Sequence, residues 1–282
     1  MKAYQSERVN SLISYIDTHL NESFNAQKIE RICNYSYRNI NRLFLATQGE
    51  TIGKHILRRR LEKSGEYLRF SSYPVSDIAD ALGFNNLAAF SKAFKAHFSC
   101  APSQFRATRG IRAASPHVVS KTTDTNLSHF SPSIETLPAF NYLYFQYQGD
   151  YTDSAAIEQL WIKFLSFCDT QNLIDENSIF FGAILDDNEI CEAQFCRYRA
   201  CLISDEVIAA PRLNYATYAE QTYARFLHDE QHYSSAQFYQ QIYSNWANTT
   251  QRELADLPTL EFYQDTDNTY LQNQTEIYIP IL

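Results

Sequence analysis

Residues 78–95 read IADALGFNNLAAFSKAFK, and this stretch decides the fold of the first half of the chain. Apolar residues recur in it at spacings of three and four, which is the period of an α-helix. Gly83 interrupts the pattern at a point where a tight turn needs a left-handed conformation. Asn85 or Asn86 can then cap a second helix. The buried stripe of that helix is Phe90, Ala93 and Phe94. The stretch therefore predicts a helix, a tight turn and a second helix.

The same arrangement occurs once earlier in the chain. Asn25 can cap a first helix, Asn34 supplies a turn residue, and Ser36 can cap the helix that follows. The inward-facing residues of these two helices are Ile29, Ile32, Cys33, Ile40, Leu43 and Phe44. Two copies of one helical pattern indicate two helix-turn-helix units in one domain.

An amphipathic helix over roughly residues 55–68 is expected to join the two units. Its apolar face carries Leu57, Leu61 and Leu68. Its other face is expected to carry Arg58, Arg59, Arg60 and Lys63. A helix of this kind holds the two units at one spacing.

Basic and acidic residues are divided unevenly along the chain, whose formal net charge is −8 at pH 7. Residues 1–112 hold 17 Lys and Arg against 9 Asp and Glu, whereas residues 113–282 hold 7 against 23. Phosphate groups attract a basic surface and repel an acidic one. The distribution favours nucleic acid binding by the first part alone, with a merely solvated basic surface as the alternative.

Three motifs in the first half resemble the signature of the AraC/XylS family of bacterial transcription regulators. They are Ile78-Ala79 with Gly83-Phe84, then Phe90-Ser91-Lys92-Ala93-Phe94-Lys95, then Pro102-Ser103-Gln104-Phe105-Arg106. The resemblance covers roughly residues 8–110. It implies an all-α domain whose two second helices enter successive segments of the DNA major groove on one face.

The resemblance also implies which residues read DNA. The matching positions are Arg38, Asn41 and Arg42 in the first unit, and Leu87, Ala88, Ser91 and Lys92 in the second. Arg and Asn are the usual partners of guanine and adenine edges. The second helix is poorer in such groups, so we expect mainly phosphate contacts from Lys92 and Lys95 there, with apolar contacts from Leu87 or Ala88 to thymine methyl groups. The alternative is that these side chains form an ordinary solvated helix face.

A polar stretch rich in Ser and Thr divides the chain. Residues 113–132 show no apolar period, which is typical of a linker. After it, alternating residues such as Leu143, Phe145 and Tyr147 indicate strands between helical stretches. We therefore predict a multidomain chain, with an all-α domain over residues 1–112, a linker over 113–132 and an α+β domain over 133–282.

The α+β part resembles the GyrI-like family of effector-binding domains. The matching segments are Leu137-Pro138-Ala139-Phe140, Gln148-Gly149-Asp150-Tyr151, Trp161, residues 182–187, 196–201 and 275–281, and Pro258 with Glu261-Phe262-Tyr263. The family fold is a duplicated unit of strand, helix, strand and strand. Residues 140–147 and 212–221 can start the two repeats, and 155–168 and 235–246 can form their helices. An AraC-type domain before a GyrI-like domain is the arrangement of the Rob-type regulators.

The resemblance implies a small-molecule site in the groove between the repeats, where relatives take cationic or amphipathic molecules. Glu261 matches a carboxylate position of the family, and a carboxylate among aromatic rings attracts an organic cation. The candidate walls are Tyr147, Tyr151, Trp161, Trp246 and Tyr263. The alternatives are that both Trp are core residues and that Glu261 faces water.

The sequence predicts a regulator without a catalytic site, because no nucleophile, base and orienting group can be identified together. No cofactor is expected, and the six scattered Cys without a C-x-x-C pair predict neither metal nor disulfides. Two other functions stay open. One is a GyrI-like hydrolase with Glu261 and either Tyr263 or Tyr278 as acid and base; the other is a ligand-free domain that docks a partner.

The predicted partners are double-stranded DNA and a small-molecule effector, and RNA polymerase is a further candidate. The first residues lack the apolar segment of a signal peptide, and no run approaches the length of a membrane span. A cytoplasmic location without membrane contact is therefore expected.

Overall fold

The chain divides into two compact units, Met1–Ala113 and Ala114–Leu282. The computed structural model describes residues 3–108, 131–206, 208, 210, 213–228, 235–247, 250, 252–263 and 275–282. The predicted linker over 113–132 lies almost entirely outside these residues, so the predicted domain boundaries stay a prediction.

The described part of the first unit is all-α, as predicted. Its helices are α1 (Ala3–Thr18), α2 (Ala26–Cys33), α3 (Tyr37–Gln48), α4 (Ile52–Phe70), α5 (Val75–Ala81), α6 (Leu87–Phe98) and α7 (Pro102–Ala107). Helices α2 and α3 form the first helix-turn-helix unit, and α5 and α6 form the second.

The turns and caps show why these residues fold in this way. Asn25 Oδ1 accepts from the N–H of Lys28 at the start of α2, and Asn86 Oδ1 accepts from Ala89 N–H at the start of α6. The two tight turns are left-handed at Asn34 (φ 48°) and Gly83 (φ 71°). The predicted capping by Asn25 and the predicted turn residues are therefore confirmed.

Helix α4 differs from the prediction in which of its faces is buried. Leu57 is 43% exposed, whereas Arg58 and Arg59 are each only 8% exposed. Arg58 donates to Glu50 at 2.7 Å, and Arg59 donates to Asp17 of α1 at 2.9 Å. A guanidinium can be buried when a carboxylate is buried with it. The predicted basic face of α4 was wrong at these two positions, because Glu50, Asp17 and the buried Glu62 of α4 itself form ion pairs with the two guanidinium groups.

The second unit is α+β, as predicted, and its described residues form a sheet of eight antiparallel strands. The strands are β1 (Ser133–Leu137), β2 (Phe140–Gln148), β3 (Phe180–Ile184), β4 (Arg197–Ile203), β5 (Asn214–Tyr218), β6 (Gln221–His228), β7 (Thr259–Tyr263) and β8 (Thr275–Pro280). Helix α8 (Ser154–Thr170) follows β2, and α9 (Ser235–Gln241) follows β6 and continues into a π-helical turn over Ile242–Trp246. The predicted duplicated unit is confirmed as β2-α8-β3-β4 and β6-α9-β7-β8.

The second repeat begins later than predicted. Residues 212–221 were expected to form its first strand, but a break after Tyr218 separates β5 from β6. The break falls at Ala219 and Glu220, which are both exposed. The first strand of the second repeat is β6.

The sheet is strongly curled. Its strand order is β1-β6-β8-β7-β3-β4-β2-β5, yet only two residues join β1 to β2 and only two join β5 to β6. In a flat sheet β1 and β2 would lie about 29 Å apart, whereas two linking residues span at most about 11 Å. The edges of the sheet must therefore approach each other, which gives it an inner and an outer face.

Both faces of the sheet are packed. The inner face holds an aromatic cluster that includes Tyr142, Tyr144, Phe181, Tyr218, Tyr223 and Tyr278. On the outer face, α8 covers a cluster around Phe164 and α9 covers a cluster around Phe226. The central strands β3 and β7 pair between these two helices, with Gly182 opposite Glu261.

Candidate DNA-reading helices and candidate ligand site

The exposed face of α3 carries two of the three predicted base-reading residues. Arg38 and Arg42 are exposed, while Ile40 and Phe44 are buried on the opposite face. Asn41 is half-buried, and its Oδ1 accepts from the N–H of Ile52, the first residue of α4, at 3.0 Å. One end of the Asn41 amide therefore fixes the turn between α3 and α4.

The exposed face of α6 is apolar at its start and basic further along. Leu87 is 45% exposed, and Ala88, Lys92 and Lys95 are exposed as well. Ser91 is half-buried. This face offers methyl groups and two ammonium groups, which suit apolar contacts and phosphate contacts.

Arg60 of α4 connects the two helix-turn-helix units. Its guanidinium donates to the carbonyl oxygens of Leu20 at 2.8 Å, Glu22 at 2.6 Å and Gly83 at 2.9 Å. Leu20 and Glu22 lie just before the first unit, and Gly83 lies in the turn of the second. A Cβ at position 83 would lie 2.7 Å from the Asn21 carbonyl oxygen, so glycine permits this close approach.

The candidate ligand site is built around the carboxylate of Glu261. Tyr239 of α9 donates to Oε1 at 2.7 Å, and Tyr263 donates to Oε2 at 2.9 Å. The Tyr198 hydroxyl lies 2.6 Å from that of Tyr263 and 3.3 Å from Oε2. Trp161 Nε1 donates to the Tyr198 hydroxyl at 3.2 Å. A chain of hydrogen bonds therefore leads from Trp161 of α8 through the Tyr198 and Tyr263 hydroxyls to the Glu261 carboxylate. Tyr239 of α9 donates to the same carboxylate directly.

The protonation of the three phenols follows from their surroundings. Burial raises the pKa of Tyr198, Tyr239 and Tyr263 well above its ordinary value, and the adjacent Glu261 carboxylate adds to the effect. A phenol that stays protonated donates its hydrogen bond to the carboxylate. Glu261 itself is only half-buried, unlike the tyrosine hydroxyl groups that contact its carboxylate.

Gly182 makes room for this arrangement. A Cβ on Gly182 would lie 2.2 Å from the Tyr198 hydroxyl oxygen and 2.8 Å from that of Tyr263. Glycine is therefore required opposite Glu261, because any larger side chain displaces both hydroxyl groups.

The predicted walls of the site are distributed over two clusters. Trp161 and Tyr263 contact each other edge to face, with ring centroids 5.3 Å apart, beside Glu261. Tyr147 and Tyr151 belong to the same cluster under α8, and the Tyr151 hydroxyl donates to the Arg197 carbonyl at 2.7 Å. Trp246 packs on Phe226 in the cluster under α9.

Two residues of the site, Tyr198 and Tyr239, were not predicted. Tyr198 lies in a segment whose resemblance was noted, and alternation along β4 places it on the outer face, which is the signal that could have identified it. Tyr239 lies on the predicted second helix, but nothing local indicates that it points at Glu261.

In the part of the chain that the structure describes, no group of three or more His, Cys, Asp or Glu is placed to hold a metal ion. No described helix has both the length and the apolar character that a membrane crossing requires.

Comparison with known proteins follows the same division into two parts. Residues 130–282 match the family of GyrI-like small molecule binding domains, and residues 29–108 match a helix-turn-helix domain. The regulatory protein SoxS of Salmonella typhimurium strain LT2 is 32% identical over 98 residues, which are 35% of this chain and 92% of SoxS. The probable transcription factor PqrA of Proteus vulgaris is 32% identical over 100 residues, 35% of this chain and 82% of PqrA.

The transcriptional regulator Rob of the same Salmonella strain is 31% identical over 102 residues, 36% of this chain and 35% of Rob. The GyrI-like match covers more than half of the chain, and the matches to the regulators fall on a stretch about as long as its helical unit. The chain therefore belongs to the GyrI-like family over residues 130–282, and it is an AraC-family DNA-binding transcription regulator with a GyrI-like small-molecule binding domain after its helix-turn-helix domain.

Proposed function

We propose that the chain reads a specific DNA sequence through α3 and binds a cationic or amphipathic effector at Glu261. The observation that carries the proposal is a half-buried carboxylate ringed by protonated phenols on one unit, with exposed Arg38 and Arg42 on a reading helix of the other. In this proposal residues 1–112 are the DNA-binding domain and residues 133–282 the effector domain.

The two reading helices have different roles in the proposal. Arg38 and Arg42 of α3 read bases, with Asn41 contributing the NH₂ end of its amide. Lys92 and Lys95 of α6 neutralise phosphates, Leu87 and Ala88 contact thymine methyl groups, and the half-buried Ser91 lies at the edge of this face.

Salt titration of DNA binding tests this division. On a duplex selected from random sequences, Arg42→Ala is expected to cost about 1 to 3 kcal/mol and to relax base preference. Lys95→Ala is expected to weaken binding to the selected and the scrambled duplex alike. It is also expected to lower the slope of log affinity against log salt concentration by about one unit. Equal losses on both duplexes for Arg42→Ala would contradict base reading by α3.

The effector is proposed to be an organic cation because of what surrounds the carboxylate. Coulombic attraction to Glu261 and the faces of aromatic rings both favour a positive group with apolar substituents. Tetraphenylphosphonium is a suitable probe, with triphenylphosphine oxide as a neutral control. At 100 times its Kd, a ligand of the folded state adds about 2.7 kcal/mol to the free energy of unfolding. A thermal shift with the cation and none with the neutral compound is the expected result, and the absence of any shift favours a ligand-free docking domain.

We propose binding rather than catalysis at this site. The pair Glu261 and Tyr263 is in contact, but burial keeps the phenol protonated and both groups are occupied with each other. Tyr278 is on the inner face of the sheet, whereas Glu261 bonds to residues of the outer face, so these two do not form an acid-base pair.

A cytoplasmic location is proposed because a transcription regulator acts on chromosomal DNA, and RNA polymerase stays a proposed further partner.

A further inference from the structure

Arg199 is a cation on the inner face of the sheet, away from the Glu261 site. Its Nε donates to Gln146 Oε1 at 3.0 Å and its Nη1 donates to the Tyr142 hydroxyl at 3.0 Å. Its guanidinium carbon lies 4.1 Å above the Tyr144 ring. Among the residues that the structure describes, no Asp or Glu forms an ion pair with it. Two of its five N–H donors are used, and three are left over.

The internal duplication shows that Arg199 occupies the position at which the second repeat has an acidic residue, Glu276, paired with Arg225. With Gly182 of β3 equivalent to Glu261 of β7, the strand registers make Tyr142 equivalent to Tyr223, Phe145 to Phe226, Tyr144 to Arg225, and Arg199 to Glu276. In the second repeat Arg225 is paired with Glu276 and with Glu135. The first repeat has a tyrosine and an arginine at the corresponding two positions, so within the described residues Arg199 has no acidic partner like that of Arg225.

The surroundings of Arg199 are aromatic and include an unused hydroxyl group. Tyr218 is 6% exposed, and its ring stacks on that of Tyr142 with centroids 4.9 Å apart. Its hydroxyl oxygen is buried and has no hydrogen-bond partner among the described residues. An unsatisfied buried hydroxyl costs stability, and such groups often mark a position where a ligand or water binds. Arg199 itself is half-buried, and its partner Gln146 is exposed.

We propose that Arg199 binds the carboxylate of an aromatic acid at a second ligand site, on the inner face of the sheet. A planar guanidinium with free N–H donors matches a carboxylate in a bidentate arrangement. The neighbouring tyrosine rings accommodate the apolar part of such a ligand. The site is separate from that of Glu261, because the two residues lie on opposite faces of the sheet.

The overall negative charge of this unit restricts where an anion can bind. Residues 113–282 hold 7 basic against 23 acidic residues, so the surface as a whole repels anions. An anion that binds this unit therefore needs a local cation to hold it.

Calorimetric titration of sodium 2-naphthoate into the full chain tests the proposal, with 2-naphthalenemethanol as the neutral control. Arg199→Met removes the charge and keeps most of the length of the side chain. We expect it to weaken naphthoate binding about tenfold to a hundredfold, the range for a hydrogen-bonded charged partner. Lys163→Met on α8 removes an exposed charge elsewhere and is expected to change nothing. Tyr218→Phe is expected to raise the Tm without ligand and to weaken naphthoate binding.

The outcomes separate this proposal from that for Glu261. No naphthoate binding by the parent chain, or equal binding by the parent and Arg199→Met, overturns it. A loss caused by Glu261→Gln but not by Arg199→Met places naphthoate in the other site and also overturns it. If Arg199→Met does not fold, as judged by Trp fluorescence, Arg199→Lys replaces it. This variant keeps the charge without the planar fork, and undiminished binding by it contradicts the bidentate contact.

Discussion

Replacing Arg60 by Ala tests whether this residue holds the two helix-turn-helix units together. Three charge-assisted hydrogen bonds to the carbonyl oxygens of Leu20, Glu22 and Gly83 are lost at once. Each such bond contributes about 1.5 to 3 kcal/mol. Arg60 is half-buried, so water reaches some of the freed carbonyl groups and the contributions do not simply add. We expect a loss of about 2 to 4 kcal/mol in the free energy of unfolding of the helical unit.

Urea unfolding followed by far-ultraviolet circular dichroism measures this loss. Both Trp residues, Trp161 and Trp246, lie in the second unit, so Trp fluorescence reports on that unit separately and is expected to be unchanged. The exposed Arg31 of α2 provides a matched control, since Arg31→Ala removes the same charge without these contacts. Arg60→Ala is also expected to weaken binding to a duplex that engages both units more than binding to a duplex with one half-site. A loss below about 1 kcal/mol, or one no larger than that of Arg31→Ala, would refute this role.

Two further predictions concern acidity and packing. Burial lowers the pKa of His55 from 6.5, and hydrogen bonds from His55 and Arg58 outweigh burial and lower that of Glu50 from 4.5. As the pH falls, the unfolded chain therefore takes up protons on these two groups at a higher pH than the folded chain does. The free energy of unfolding of the helical unit consequently falls as the pH drops below 6.5, and it falls further below 4.5. Urea titrations at several pH values check this, and a His55→Gln variant that keeps the full slope between pH 6.5 and 5 would contradict it. Gly182→Ala is expected to displace the two tyrosine hydroxyls from Glu261 and to cost about 1 to 3 kcal/mol. Gly53→Ala in α4, where a Cβ meets nothing within 4 Å, is expected to stabilise, and equal effects of the two changes on Tm would contradict the packing argument.

The fold was predictable where local chemistry determines it. Residues that are close in the sequence determine the helix caps and the left-handed turns at Asn34 and Gly83. These caps and turns define both helix-turn-helix units. The burial of Arg59 was not predictable in this way, because it depends on Asp17, 42 positions earlier, as well as on Glu62 in the same helix. Helical periodicity places a charged residue on the solvent side unless a distant partner neutralises it.

The candidate ligand site shows the same limit. Glu261 and Tyr263 are two positions apart on one strand, so the alternation of a strand places them on one face. Tyr198 and Tyr239 reach the same carboxylate from 63 and 22 residues away. Only the pairing of β3 with β7 and the packing of α8 and α9 bring these side chains together.

Titration of tetraphenylphosphonium into the parent chain and Glu261→Gln tests the claim that Glu261 supplies the counter-charge for a cationic effector. Gln keeps the shape and hydrogen-bonding capacity of Glu and removes only the charge. Glu158→Gln on α8 is the matched control, because it removes an exposed carboxylate outside the site. We expect Glu261→Gln to weaken binding about tenfold while Glu158→Gln leaves it unchanged. Equal affinity of the parent and Glu261→Gln for the cation would contradict the claim.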